Sequence, residues 1–169
     1  APTSVNVYVY DDAPVAVDDN TSVSETMPTV TGNVTTNDKF GFDGKPEAGE
    51  QVVTKIVVNG TTYNLPADGT NVTITTPNGV LTINTTGQYS YTATTQTGGE
   101  DNFVYTIQDN DGDKDTSTSD ATLKVSIDDV DFTPTVTNDV KTVDETNLGP
   151  IVVNGSVTAN YFSDGPGTV

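Results

Sequence analysis

The sequence of 169 residues predicts an all-β fold, an antiparallel β-sandwich set in a tandem array. Three observations predict it. The chain holds 32 threonines and 24 valines, side chains whose branching at Cβ stiffens χ1 and suits a pleated sheet. Short runs alternate apolar and polar residues at period two, with turn residues between them and no helical periodicity. The two ends of the chain also repeat one another.

The repeat fixes the organisation. PVAVDDNTSVSE runs from Pro14 to Glu25, and PTVTNDVKTVDE begins 120 positions later, from Pro134 to Glu145. VTGNVTTN from Val30 then matches VNGSVTAN from Val153. An acidic pair closes an alternating run just before each proline, at Asp11-Asp12 and Asp128-Asp129. The chain therefore reads as a slice of an array. Residues 1–13 are the last strand and linker of one repeat, 14–133 a complete repeat, and 134–169 the opening strands of the next.

Taken in order, the predicted strands are Val5–Tyr10, Thr21–Ser24, Asn33–Thr36, Gln51–Val58, Thr61–Leu65, Asn71–Thr75, Val80–Asn84, Gln88–Ala93, Phe103–Gln108 and Ala121–Ile127. Alternation places Phe103, Tyr105 and Ile107 inward, and likewise Leu123, Val125 and Ile127, with Lys124 and Ser126 facing water. Asn59-Gly60 separates two runs by two residues, a hairpin signal because both turn positions need positive φ. Pro77-Asn78-Gly79 and Thr86-Gly87 mark further turns. Many short strands joined this way make a sandwich.

Charge narrows the function. Six lysines, no arginine and 24 acidic residues give a net charge of −18. No basic patch exists to meet phosphates, which argues against nucleic acid and against direct contact with anionic membranes. With no cysteine and no histidine, disulfides, thiol catalysis, histidine triads and Cys/His zinc sites are excluded. No apolar run approaches membrane-spanning length. Carboxylate pairs can hydrolyse glycosides, but these sit at domain junctions, poor places for a cleft, so an enzyme is not expected.

The acidic residues gather where loops and junctions fall. The first junction carries Asp11, Asp12, Asp18 and Asp19; DNDGDKD carries Asp109, Asp111, Asp113 and Asp115; the second junction carries Asp128, Asp129, Asp131 and Asp139. Glu25, Asp38, Asp43, Glu100 and Asp101 lie between. Calcium takes six to eight oxygen ligands, which loops at one end of a sandwich can supply from distant positions. Closely spaced carboxylates repel unless a cation neutralises them. The candidate metal ligands are therefore Asp11, Asp12, Asp19, Glu25, Asp38, Asp43, Glu100, Asp101, Asp109, Asp111, Asp113, Asp128, Asp129 and Asp131. DNDGDKD is no EF-hand, since Lys114 stands where that loop needs glycine. An isolated residue such as Asp68, before Gly69, reads as a turn former. Sandwich topology should bring Asn37, Asp38, Asp43 and Asp109–Asp115 to the first junction, and Glu25, Glu100 and Asp101 to the second with Asp128 and Asp129.

TVTGNVTTNDKFGFDG, NGVLTINTTGQYSYTA and GGEDNFVYTIQDNDGDKDTSTSDATLKVSI, in that order, resemble the bacterial cadherin-like and VCBS-type repeats of giant RTX adhesins. Those are secreted by type I systems of Gram-negative bacteria. The resemblance covers about Ala13 to Asp129, and VDETNLGPIVVNGSVTANYFSDGPG resembles the start of another repeat type. It implies an Ig-like sandwich whose junctions are stiffened by calcium. Asn37, Asp38, Asp43, Asp109, Asp111 and Asp113 match the family's acidic loops. The stretch after Asn37-Asp38 departs from it, reading KFGFDG where several aspartates are usual.

Six Asn-X-Ser/Thr matches, among them Asn33-Val-Thr and Asn71-Val-Thr, are of the kind that arise by chance in a threonine-rich chain. Tyr89 and Tyr91 are read as exposed, packing across strands in preference to stacking on sugars. The expected function is a calcium-stabilised extender repeat of a secreted adhesin at the cell surface, holding a ligand-binding tip away from the cell in attachment or biofilm formation. The alternative is a segment of the ligand-binding region recognising carbohydrate or host protein. Expected partners are adjacent repeats of the same chain, together with strand complementation between copies, Val5–Tyr10 lying beside Pro134–Val169 of a neighbour.

Overall fold

The computed structural model describes residues 4–5, 13–95, 97–110, 117–130, 134–142 and 154–160. The chain forms two compact units, Ala1–Asp129 and Val130–Val169. Among the described residues every regular element is a strand.

The first unit is a two-sheet sandwich. Its strands are β1 (Asp19–Ser24), β2 (Thr29–Asn33), β3 (Val53–Val58), β4 (Thr61–Asn64), β5 (Val72–Thr75), β6 (Gly79–Ile83), β7 (Gln88–Ala93), β8 (Gly99–Gln108) and β9 (Thr118–Asp128). One sheet has the order β1-β9-β8-β3-β4, the other β2-β7-β6-β5. All pairs are antiparallel except one: β1 lies parallel to β9, Asp19 opposite Leu123 and Ser24 opposite Asp128. The chain enters at the end where β9 begins, so both strands leave that end together. The all-β sandwich is the expected one, with this one parallel pair among its antiparallel pairs.

Inward residues from both sheets form one core, with Val23, Ile56, Ile74, Leu81, Phe103, Ile107, Leu123 and Val125 all buried. Burying each such side chain stabilises the fold by about 1.5–3 kcal/mol. Tyr91 of β7 meets Phe103 of β8 edge to face, centroids 6.1 Å apart, across the two sheets. Tyr91 is therefore core and Tyr89 half-buried, which corrects the expectation that both are exposed.

The turns follow their residues. Asn59 (φ 49°) and Gly60 (φ 76°) close β3 onto β4 with both positions in the left-handed region. Between β6 and β7 the Asn84 carbonyl accepts the Gly87 N–H at 3.0 Å, and Gly87 takes φ 84°.

Strand ends shift where side chains intervene. The predicted strand Asn33–Thr36 is instead β2, ending at Asn33. The Asn33 side-chain oxygen accepts the Thr35 N–H and hydroxyl, each at 2.8 Å, folding the next residues into a turn. Val34 is fully buried there, so the alternation that misplaced the strand comes from a plug at the sandwich end. β8 reaches back to Gly99 and β9 runs from Thr118 to Asp128, both longer than their apolar cores.

In the second unit β10 (Thr135–Thr137) pairs antiparallel with β11 (Thr158–Asn160). Asp139 bonds the Lys141 ammonium at 3.0 Å and the Ser156 N–H at 3.1 Å. The run Val5–Tyr10, apart from Val5, lies outside the described residues, and with it that half of the expected pairing between copies.

Candidate cation site

Tyr105 organises the end at which the chain enters the sandwich. It sits in β8 among core residues, fully buried, and strand alternation points its ring inward and its hydroxyl toward the rim. Four oxygens surround that hydroxyl: Val17 O at 2.9 Å, Asp19 Oδ2 at 2.9 Å, Val34 O at 3.2 Å and Asp38 Oδ1 at 3.2 Å. A phenol has one proton to donate, so three of the four lack its hydrogen bond at any moment.

The backbone delivers these oxygens from two segments. The entry segment supplies Val17 and Asp19, while the turn after β2 supplies Val34 and Asp38. The Asp38 Oδ1 atom also accepts the Val17 N–H at 2.8 Å. Asn37 clamps the entry from the other side, its amide donating to Val17 O and Asp18 O, both at 3.1 Å. Asp18 turns outward and accepts the Thr122 N–H at 2.8 Å. The Asp38 Oδ2 atom is buried without a hydrogen-bond donor among the described residues.

Electrostatics follow from that crowding. Burial raises the Asp19 carboxyl above its usual range; the Tyr105 hydrogen bond opposes this, and the charges of Asp38 and Asp18 add to it. Burial likewise raises Asp38, against the Val17 N–H, Tyr105 and Lys45. The Tyr105 phenol is held neutral by burial and by its two carboxylate neighbours. Two carboxylates, two carbonyls and a phenol oxygen form a hard-oxygen set of the kind calcium prefers. The residues present fit such an ion, with water to complete the shell, since no three carboxylates converge among the described residues.

The remaining candidates divide by location. Asp43 lies in the same long loop as Asp38, and the adjacent Gly44 carbonyl accepts the Asn110 N–H at 3.0 Å. That bond draws the loop to Asp109, which is buried and accepts the Ser117 N–H at 3.0 Å. Glu25, Asp128 and Asp129 lie at the opposite end, around the corner from β1 to β2 and the exit of β9. Glu100 and Asp101 are not brought together: as successive strand residues they face opposite ways. Glu100 pairs with Lys124 on the outside. Asp101 is buried between the sheets, held by Thr76 Oγ1, by Tyr91 Oη at 2.7 Å and by Asn78 Nδ2 at 3.0 Å. Asp11, Asp12, Asp111, Asp113 and Asp131 lie outside the described residues. Asp68 caps its own turn by accepting the Thr70 N–H at 2.9 Å.

Sequence reasoning placed Tyr105 in the core and missed that its hydroxyl gathers the acidic rim. It also missed Thr76, Asn78 and Tyr91 as the donors to Asp101. The available signal was a tyrosine at an inward position near a strand end, where a buried hydroxyl must find a partner.

No curated protein matches the chain. The family model of the bacterial Ig domain matches residues 11–126, the span that forms the sandwich. Domains of that kind are generally extracellular or surface-associated and typically non-catalytic. Among the described residues no helix is long and apolar enough to cross a membrane. Matched over most of its length and built as two facing sheets, the chain belongs to the bacterial Ig domain family.

Proposed function

We propose that this chain is a calcium-stabilised extender repeat of a secreted bacterial adhesin, spacing a ligand-binding tip from the cell surface in attachment or biofilm formation. The observation that carries the reading is the oxygen cluster around Tyr105, rich in acceptors and short of donors at the end where the chain enters the domain. A cation held by Asp19, Asp38, Val17 O and Val34 O would tie the entry segment to the turn after β2 and to β8. That joins what precedes the domain to its rigid core, and stiffness at such joints is what a spacer requires. The acidic net charge, the repeat of PVAVDDNTSVSE at Pro134 and the family membership support the same reading.

Titration calorimetry with calcium tests it on the unmodified chain and on Asp19→Asn and Asp38→Asn. Binding with a dissociation constant of about 10⁻⁴–10⁻³ M, the range of extracellular modules, is expected, weakened in both variants. No heat of binding at millimolar calcium would overturn it. Scattering profiles recorded with calcium and with chelator check the spacer role, which requires a more extended and less variable chain with the ion.

A further inference from the structure

The charge of this domain is distributed unequally between its sheets. The sheet β1-β9-β8-β3-β4 carries Asp19, Lys55, Glu100, Asp101, Asp120, Lys124 and Asp128. The strands of the other sheet read TVTGN, QYSYTA, GVLTI and VTIT, with no charged residue in any of them. Its outer face is a rank of neutral side chains: Thr73 opposite Thr82 and Ser90 opposite Thr31, then Thr75 opposite Val80 and Thr92 opposite Thr29. The Thr29 and Thr92 hydroxyls lie 3.0 Å apart.

Among the described residues β5 is the edge of that sheet, and its outward backbone groups can be named. Thr76 N–H donates to Gly79 O at 2.9 Å, which fixes the phase of the β5–β6 ladder. Hydrogen-bonded pairs alternate along antiparallel strands, so Ile74 and Val72 bond β6. The N–H and C=O groups of Thr73 and Thr75 then point away from β6, to a side with no neighbouring strand among the described residues. Both threonines are exposed, and no charge, proline or bulge within β5 blunts the edge, as natural edges commonly are. The other edges differ. β1 carries Asp19 and runs into Glu25, β4 lies beside Lys55 and is followed by Leu65-Pro66, and β2 contains Gly32.

We infer that β5 is a docking edge for the β5 of a second copy of this chain, paired antiparallel about Ile74. Thr73 of one copy then faces Thr75 of the other, and each such pair exchanges both of its backbone hydrogen bonds. The two neutral sheets become one continuous sheet with an unbroken threonine face. The occupant follows from charge. Two molecules of net charge −18 repel one another least where neither presents charge, and the strand at this edge carries none. A cationic partner would instead be drawn to the acidic ends. Four-residue strands make a small contact, below the size of stable interfaces, so the pairing is weak and reversible. The inference is independent of the calcium reading.

Sedimentation equilibrium of the whole chain tests it, from about 10 μM to about 1 mM at low salt and at ~0.5 M salt. A monomer–dimer equilibrium that strengthens with salt is expected, because salt screens the repulsion between the rest of the two surfaces. Thr73→Asp should return the chain to monomer, while Thr62→Asp, the same charge on the exposed face of β4, should not. Thr75→Pro should also give monomer, since it removes only an edge-directed N–H. In the unmodified chain the Thr73 and Thr75 amides should exchange more slowly at high concentration. A monomer throughout would overturn the inference, as would a dimer that salt weakens. So would association that survives Thr73→Asp, or is lost equally in Thr62→Asp.

Discussion

Asp19 and Asp38 compete for one proton: the Tyr105 hydroxyl stands 2.9 Å from Asp19 Oδ2 and 3.2 Å from Asp38 Oδ1. The two carboxylates come from segments separated by β1, β2 and the corner between them, and a single phenol joins them to the core. What satisfies the second carboxylate governs the behaviour of this end of the domain.

A cation is the first answer, and it predicts a calcium-dependent melt. An ion that binds only the folded state stabilises it by about 2.7 kcal/mol at a hundredfold excess over its dissociation constant. The melting temperature should rise by several degrees between chelator and about 10 mM calcium. Superimposable calorimetric scans would count against the site.

Substitutions at the cluster should separate its two demands. Asp38→Asn removes one of the like charges and leaves the Val17 N–H an acceptor, so in chelator the variant should be as stable as the parent or more so. Its calcium-induced shift should nevertheless shrink. Tyr105→Phe removes the donor that the carboxylates share among the described residues and should cost about 1–3 kcal/mol in chelator. Asp68→Asn, at a turn exposed to water, should leave the calcium response unchanged. Thermal scans of the three variants, with and without the ion, read these differences.

Proton uptake is the second answer and gives a pH dependence of definite sign. Both carboxyls titrate above the ordinary 3.8 in the folded chain. Between 3.8 and the raised values the folded state holds protons that the unfolded chain has released. Stability contributed by this pair therefore falls as pH rises through that window and stays lost above it. Without calcium, the denaturant midpoint should rise on going from about pH 7 to about pH 4.5, and by more in the parent than in Asp38→Asn. The comparison with Asp38→Asn removes the general relief of acidic self-repulsion. With calcium present the trend should weaken, because the ion requires ionised carboxylates. Equal slopes in parent and variant would contradict the assignment.

The buried carboxylate at the opposite end makes a separate prediction. Among the described residues Asp101 is held by neutral donors, Thr76, Asn78 and Tyr91. Tyr91→Phe removes one of them and should destabilise the domain by about 1–3 kcal/mol without altering the calcium shift. Gly79→Ala should do similar harm by another route. A Cβ there would collide with the Tyr91 hydroxyl and lie 2.7 Å from the Thr92 carbonyl, displacing the ring from Asp101. Urea titration of both variants checks the pair.

The sequence by itself determined the all-β class, the hairpins and most of the core. Alternation in Phe103–Ile107 and Leu123–Ile127 reflects a two-residue period that local geometry enforces wherever one face is buried. Asn59-Gly60 likewise needs only its own backbone preferences to turn. Acidic crowding was legible too, because charge density is a property of the chain. Tertiary structure decided which acids meet. Glu100 and Asp101 are neighbours in sequence yet lie on opposite faces of β8, one paired with Lys124 and the other sealed between the sheets. Asp19 and Asp38 are distant in sequence yet share a hydroxyl. That meeting depends on β1 running parallel to β9, on the Asn33 turn that ends β2 early, and on the height of Tyr105 in β8. Each is a packing relation between separate segments, which no period or local motif encodes.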